Sequence, residues 1–163
     1  DPALAELALS LGADVPMCLA GRPARVAGIG ERIAPTTGRL SFGLLLVNPG
    51  VGVSTPAVFK ALARRDNPPL LSLPALDDVD RLSAFLADAT RNDLEAPARD
   101  ISPVIGDVLE GLARQPETKL ARMSGSGATC FGLFGDKAAA ARAGERLMAD
   151  HPGWWIEPAT AAF

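Results

Sequence analysis

The feature that most constrains the fold is a run of six apolar residues at 42–47 (FGLLLV), closed by Asn48, Pro49 and Gly50. A short, nearly continuous apolar run that ends in turn-forming residues is typical of a strand buried on both faces. A chain of 163 residues is long enough to bury such a strand in a sizeable core. The run therefore predicts a buried strand.

The rest of the chain alternates between helical and extended patterns. Ser54, Thr55 and Pro56 are typical of a helix start. Helices are predicted at 57–65, 79–89, 103–114 and 136–149, and strands at 119–123, 129–134 and 154–159. Asn92 resembles a further helix start, because its side-chain oxygen can cap free N–H groups. Residues 70–80, with their prolines and acids, predict a loop. Together these elements predict an α+β fold, with helices on a small antiparallel sheet.

The first 38 residues predict a helix followed by a hairpin. Apolar residues recur at helical spacing over 2–11, and Gly12 stands where a left-handed helix end is expected. Residues 15–20 and 24–28 are predicted to pair as strands across Gly21-Arg22-Pro23. Because the pattern starts inside a helix, Asp1 is expected to be a cut within a longer chain. A processed natural start is the alternative.

Composition excludes several classes of function. The net charge is −3 and the arginines are scattered, so nucleic acid is not an expected partner. The apolar run is too short to span a bilayer and the start lacks a signal-peptide pattern, which predicts a cytoplasmic protein without a membrane partner. Cys18 and Cys130 are predicted to be buried free thiols rather than a disulfide or metal site. A single histidine, His151 in a predicted turn, leaves most hydrolase mechanisms without their central residue.

Asp14 is the first candidate for chemistry. The sequence Gly12-Ala13-Asp14-Val15-Pro16 sets a carboxylate between a predicted helix and a predicted strand. Rigid elements on both sides fix such a position. The alternative is a structural aspartate that caps a turn.

A glycine-rich segment, residues 123–129 (MSGSGAT), is the second candidate. Without side chains, backbone N–H groups can approach a phosphate or another loop closely. The segment lacks the Gly-Lys-Ser/Thr ending of a P-loop, and a strand rather than a helix follows it, unlike a dinucleotide fingerprint. A plain tight turn is the alternative.

Taken in order, six motifs resemble a known family. They are LGADVP at 11–16, GIGE at 28–31, NPG at 48–50, STPAVF at 54–59, NDLE at 92–95 and MSGSGA at 123–128. This combination resembles the GHMP small-molecule kinases, and among them the kinases of 4-diphosphocytidyl-2-C-methylerythritol. The resemblance covers nearly the whole chain. It implies a ferredoxin-like carboxy-terminal domain at 39–163, preceded at 1–38 by the end of the amino-terminal domain.

The resemblance implies transfer of the γ-phosphoryl group of ATP to the 2-hydroxyl of that substrate, with Mg brought on the ATP. Asp14 matches the catalytic aspartate, which would orient the hydroxyl and accept its proton late in a loose transition state. Phe59 matches an aromatic that stacks on cytosine, beside Thr55 and Pro56 in the substrate wall. The Gly125-Ser126-Gly127 loop supports the nucleotide site. The alternative for Phe59 is a place in the inner stripe of its helix.

The sequence also departs from the family. The lysine-bearing strand and the glycine-serine loop that cradles ATP phosphates are absent from it, and Lys60, Lys119 and Lys137 follow no such pattern. The isolated chain is therefore expected to be inactive, and to form a homodimer, aggregate or pair with the missing amino-terminal half. Two other functions stay open: another GHMP small-molecule kinase, and a non-catalytic α+β ligand-binding or interaction module.

Overall fold

The computed structural model describes residues 2–36, 38–70 and 77–162. It divides into two compact units, one comprising residues up to Arg39 and the other comprising Leu40–Ala162. The loop predicted at 70–80 falls mostly on residues 71–76, which lie outside the described residues. None of the described helices is long and apolar enough to cross a bilayer.

The first unit contains two helices and a two-stranded hairpin. Helix α1 is Pro2–Leu11, helix α2 is Val15–Ala20, and strands β1 (Ala24–Ala27) and β2 (Arg32–Pro35) pair antiparallel. The hairpin predicted from 15–20 and 24–28 is therefore wrong. Pro16 lies in the first turn of α2, and Gly21 ends the helix in the left-handed conformation with φ 58°. Those two residues favour a helix. A run of six apolar residues by itself fits a helix and a strand equally well.

The second unit follows the order β-α-β-β-α-β of a ferredoxin-like fold, with four helices among the described residues between its first two strands instead of one. Its strands are β3 (Ser41–Asn48), β4 (Leu120–Met123), β5 (Cys130–Phe134) and β6 (Trp155–Ala162). They form one antiparallel-paired sheet in the order β4-β5-β3-β6. Its helices are α3 (Thr55–Lys60), α4 (Val79–Ala89), α5 (Glu95–Ile101), α6 (Val104–Ala113) and α7 (Lys137–Asp150). The α+β fold predicted from the sequence is confirmed.

Strand β3 lies at the centre of this sheet. Leu45 and Val47 are fully buried on one face, among the apolar side chains of the core shared with α6 and α7. Leu44 and Leu46 alternate with them and are only half-buried. The prediction of a buried strand is confirmed, but burial is complete on one face only.

The edge strand β6 carries Pro158, which stands opposite Leu45 of β3. Proline has no N–H to donate, so a strand interior tolerates it only where the missing donor would point away from the neighbouring strand. The far edge of the sheet at β6 therefore lacks one backbone donor near its middle.

Gly43 shows how closely β3 passes helix α7. Asp136 caps that helix by accepting a hydrogen bond from the Ala139 N–H at 2.8 Å. A Cβ atom added at Gly43 would overlap the backbone carbonyl of Asp136. Because backbone cannot rotate away as a side chain can, this position requires glycine.

We expect Gly43→Ala to destabilise the second unit by about 1 to 3 kcal/mol, the usual cost of overpacking a filled core. Urea unfolding followed by the fluorescence of Trp154 and Trp155 measures the loss. Gly153→Ala is the matched control, because an added Cβ there meets nothing within 4 Å. Equal unfolding midpoints for the two variants would contradict the close approach of β3 and α7.

Candidate active site

The glycine loop, residues 124–129, connects β4 to β5 and has a fixed conformation. The Ser124 N–H donates to the Thr129 carbonyl at 2.9 Å, and the Gly127 N–H donates to the Ser124 carbonyl at 3.0 Å. Gly125 and Gly127 have φ values of 55° and 89°, which L side chains rarely adopt. A Cβ at Gly127 would also approach the Met123 sulfur to 3.0 Å. Backbone conformation and packing both require glycine at 127.

Asn92 anchors this loop from outside it. Its amide nitrogen donates to the Met123 carbonyl at 3.0 Å and to the Gly125 carbonyl at 2.8 Å. Its side-chain oxygen accepts the Leu94 N–H at 3.0 Å, just before α5. The sequence predicted this last bond, as a helix-start oxygen, but not the two bonds to the loop. Both donors of the amide and one of the two lone pairs of its oxygen are therefore used.

A second asparagine joins the loop to the central strand. Asn48, the last residue of β3, donates from its amide nitrogen to the Thr129 hydroxyl at 2.9 Å. Its side-chain oxygen accepts the Gly50 N–H at 2.8 Å, which shapes the turn leading toward α3. The Asn48-Pro49-Gly50 motif thus orients two loops as well as ending a strand.

Helix α3 brings the predicted substrate-wall residues beside the glycine loop. Ser54 is its N-cap, with a side chain that accepts the Ala57 N–H, and Pro56 lies in the first turn. The Thr55 hydroxyl is 2.7 Å from the Ser126 hydroxyl. The sequence placed Thr55 and Ser126 in different parts of the site, and the structure brings them into hydrogen-bond contact.

Phe59 lies on the exposed side of α3. Val58 is fully buried, whereas Phe59 is 49% exposed. The alternative that Phe59 belongs to the inner stripe of its helix is therefore wrong. The helix is also shorter than predicted and ends at Lys60, so that Leu62 lies beyond it. The half-exposed side chain of Phe59 is open to contact with a flat ligand.

Two groups on the strands that flank the loop are removed from solvent, Arg122 in part and Cys130 fully. Arg122 in β4 donates to the Leu86 carbonyl at 2.9 Å and also to the Thr90 hydroxyl, which ties the end of α4 to the sheet. Burial lowers the pKa of the Arg122 guanidinium. Burial also raises the pKa of Cys130 to about 12, so its thiol stays protonated and is a poor nucleophile.

Asp14 lies in the first unit, between α1 and α2. It is exposed and occupies the N-cap position of α2, but its carboxylate makes no capping hydrogen bond. The alternative of a capping aspartate therefore has no support in the geometry. The strand predicted after it is a helix, so the carboxylate stands at a helix N-terminus, where negative charge is favoured.

The GIGE motif supports the backbone next to Asp14. Gly30, with φ 116°, packs so closely that an added Cβ would overlap the Ala13 carbonyl. The Glu31 carboxylate accepts the Ile29 N–H at 2.6 Å, and hydrogen bonds from the backbone of Glu31 and Ile29 lower the pKa of that carboxyl. The two motifs that resemble the family most specifically are thus packed against each other.

The prediction that both cysteines are buried is half wrong. Cys130 is buried, whereas Cys18 on α2 is exposed, and both are free thiols. Apolar neighbours in sequence indicated burial at Cys18, but α2 has no buried residue. In the described residues, no group of three or more His, Cys, Asp or Glu side chains is arranged to hold a metal ion.

Comparison with known proteins assigns the second unit to a family. Residues 72–152 match the family described as GHMP kinases C terminal. This chain carries a GHMP kinase carboxy-terminal domain. The match contains Asn92 and the glycine loop, whereas Asp14 and Phe59 precede it.

Two curated relatives extend the similarity over nearly the whole chain. Each is named 4-diphosphocytidyl-2-C-methyl-D-erythritol kinase. The protein from Cereibacter sphaeroides is 57% identical over 160 residues, which cover 97% of this chain and 57% of the relative. The protein from Paracoccus denitrificans is 55% identical over 148 residues, which cover 90% of this chain and 54% of the relative. The GHMP domain and the unit before it thus span little more than half of these relatives.

A solved structure agrees with the curated relatives. A crystal structure of 4-(cytidine 5'-diphospho)-2C-methyl-D-erythritol kinase superposes with a TM-score of 0.72 at 32% identity. The match covers 95% of this chain and 56% of that one. The resemblance seen in the sequence motifs is confirmed at the level of the fold.

The anchoring of the GHMP glycine loop by Asn92 can be tested directly. Asn92→Ala removes both bonds to the loop carbonyls, and we expect amide hydrogen exchange at residues 124–128 to accelerate about 5- to 30-fold, since each lost bond is worth about 1 kcal/mol. Asn92→Asp keeps the oxygen that caps α5 but not the donors, and we expect it to accelerate exchange at least as much.

Asn67→Ala is the matched control, because Asn67 makes one local bond to the Arg64 carbonyl. Unchanged exchange in Asn92→Asp would show that the loop does not depend on the amide.

Proposed function

We propose that the full-length protein containing this chain transfers the γ-phosphoryl group of ATP to the 2-hydroxyl of 4-diphosphocytidyl-2-C-methylerythritol, in isoprenoid precursor synthesis. The relatives at 55–57% identity carry this kinase name. ATP use follows from the GHMP family. The cytoplasmic location expected from the sequence stays a prediction.

One observation within the second unit carries the proposal. The hydroxyl of Thr55, a proposed substrate-wall residue, is 2.7 Å from the hydroxyl of Ser126 in the proposed nucleotide loop. A kinase needs its acceptor and its nucleotide in adjoining sites, because positioning supplies most of the rate in phosphoryl transfer. A non-catalytic module would have no need to place these two segments together.

Phe59 is proposed to stack on the cytosine ring of the substrate. Its ring is half-exposed, on the helix that also carries Thr55 and Pro56. Stacking of a base on an aromatic side chain is worth about 1 to 3 kcal/mol. This contact would hold the substrate by the part that does not react.

Asp14 is proposed to orient the substrate hydroxyl and accept its proton late in the reaction. Its carboxylate is exposed and makes no capping bond, and its backbone is held by the GIGE turn. The backbone is thus positioned, while the carboxylate oxygens are available to accept a hydrogen bond from a hydroxyl.

Mg is proposed to arrive with ATP. Magnesium usually keeps several waters and binds nucleotide phosphates with one or two carboxylates, so it does not need a dedicated cluster of protein ligands. Gly125, Ser126 and Gly127 are proposed to shape the nucleotide site from one side.

The proposal is tested by kinetics of the full-length protein with ATP and the cytidine-linked substrate. We expect Phe59→Ala to raise KM for this substrate about 5- to 100-fold with a smaller change in kcat, because stacking acts equally on the ground and transition states. Asp14→Asn should instead lower kcat by about 100-fold or more and leave KM nearly unchanged.

Phe59→Leu and Glu6→Gln serve as controls. The first keeps apolar area but not the flat ring, and the second removes an exposed carboxylate from the neighbouring helix α1. Turnover of a substrate without cytidine at the same rate would favour another small-molecule kinase. Full activity of Asp14→Asn would remove Asp14 from the reaction.

We also propose that the first unit packs against chain that this sequence does not contain. A mostly apolar cavity of about 480 Å³ lies within it, lined by Leu4, Leu9, Leu19 and Ile33 among others. Leu11 and Ile29 are each 72% exposed. The relatives supply further chain, since this sequence spans only 57% of the first of them. Exposed apolar surface of this kind is usually covered in a stable protein.

The isolated chain is therefore expected to associate as its concentration rises. Sedimentation velocity over a hundredfold range of concentration should show species larger than a monomer, and Leu11→Glu should shift the distribution toward the monomer. Met148→Glu, at a 43% exposed position in the second unit, is the matched control. A monomer at every concentration would contradict the proposal.

A further inference from the structure

The Thr55–Ser126 hydroxyl pair is a contact that the local structure on either side does not require. Ser54 already caps α3 by accepting the Ala57 N–H, so the Thr55 hydroxyl is not needed to start the helix. Thr55 is exposed, so the bond adds little to burial. Its consequence is to join two segments that lie 71 residues apart in sequence.

Ser126 is the member of the glycine loop whose side chain contacts α3. It stands between Gly125 and Gly127, the two residues with positive φ. Asn92 holds the Gly125 carbonyl on one side. Among the described residues, the Thr55 hydroxyl is the side-chain partner of Ser126, so this bond fixes the outer part of the loop to α3.

Thr55 and Phe59 lie four residues apart in α3, so their side chains share one face, one turn from each other. Val58, between them in sequence, is fully buried and fixes the helix to the core. A ligand that stacks on Phe59 therefore restrains the same helical turn whose first residue holds the glycine loop.

We infer that the Thr55–Ser126 bond couples the two ligand sites, so that each ligand binds more tightly when the other is present. The inference rests on the proposed function, which assigns cytosine to Phe59 and nucleotide to the glycine loop. Substrate stacked on Phe59 restrains the remaining motion of α3, the bond passes this restraint to Ser126, and the nucleotide then has less residual motion of the loop to suppress. The coupling is reciprocal by thermodynamic necessity.

The measurement is the affinity of the full-length protein for a non-hydrolysable ATP analogue, by calorimetry, with and without saturating cytidine-linked substrate. The ratio of the two Kd values is the coupling factor. We expect Thr55→Val and Ser126→Ala each to reduce this factor about 2- to 10-fold, the range that one hydrogen bond accounts for. The double variant should reduce it no further, because both changes remove one bond.

Thr55→Ser keeps the hydroxyl, so its coupling factor should stay close to that of the wild type. Thr160→Val is the matched control for loss of a threonine hydroxyl, since Thr160 is exposed on β6 opposite Gly43, at the other end of β3 from Asn48. Melting temperatures of the variants should stay close to that of the wild type, because the lost bond is at the surface.

The outcomes separate this inference from the proposed function. A wild type without substrate-dependent turnover overturns both. Normal turnover with a coupling factor of one, or with a factor unchanged in Thr55→Val and Ser126→Ala, overturns the coupling alone. Additive losses in the double variant would show that the two hydroxyls act on separate ligands rather than through each other.

Discussion

The pairing of strand β3 with both of its neighbours is the interaction on which the second unit depends. The strand lies between β5 and β6, and its inward side chains meet α6 and α7. This arrangement leaves no room at Gly43, where α7 begins against the strand. The carboxyl end of β3 then places Asn48 beside Thr129 of the glycine loop. The position of the glycine loop relative to the sheet thus depends on the register of one strand.

Much of this unit could be predicted from sequence because most of its elements are strongly patterned and bounded by turn or capping residues. The helix at Val79–Ala89 has the predicted bounds, and the strands around the glycine loop agree within one residue at either end. In the first unit, the segment Val15–Ala20 could not be assigned correctly, because a run of six apolar residues fits both a helix and a strand. The helix is favoured there by Pro16 in its first turn and by Gly21, which ends it in the left-handed conformation.

The sequence predicted candidate residues for the site, but not how they contact one another. Motifs indicated Thr55 and Ser126 separately, while their mutual hydrogen bond depends on how α3 packs through Val58. The sequence predicted the helix-capping role of the Asn92 oxygen. The bonds of its nitrogen to carbonyls 31 and 33 residues further along the chain could not be predicted, because local sequence patterns carry no information about such distant partners. Phe59 and Val58 are both apolar, so the sequence does not show which of them is exposed. In the structure Val58 is buried and packs α3 against the core, whereas Phe59 is half-exposed.

The proline in β6 has a consequence for how such a domain behaves in a crowded cell. An open sheet edge offers backbone donors and acceptors to any extended peptide that meets it, and this is a common route to aggregation. Opposite Leu45, the outermost strand presents a pyrrolidine ring instead of a donor. A visiting strand would leave one of its carbonyls unsatisfied at that point, which makes the β6 edge a poorer template for further pairing than an uninterrupted strand.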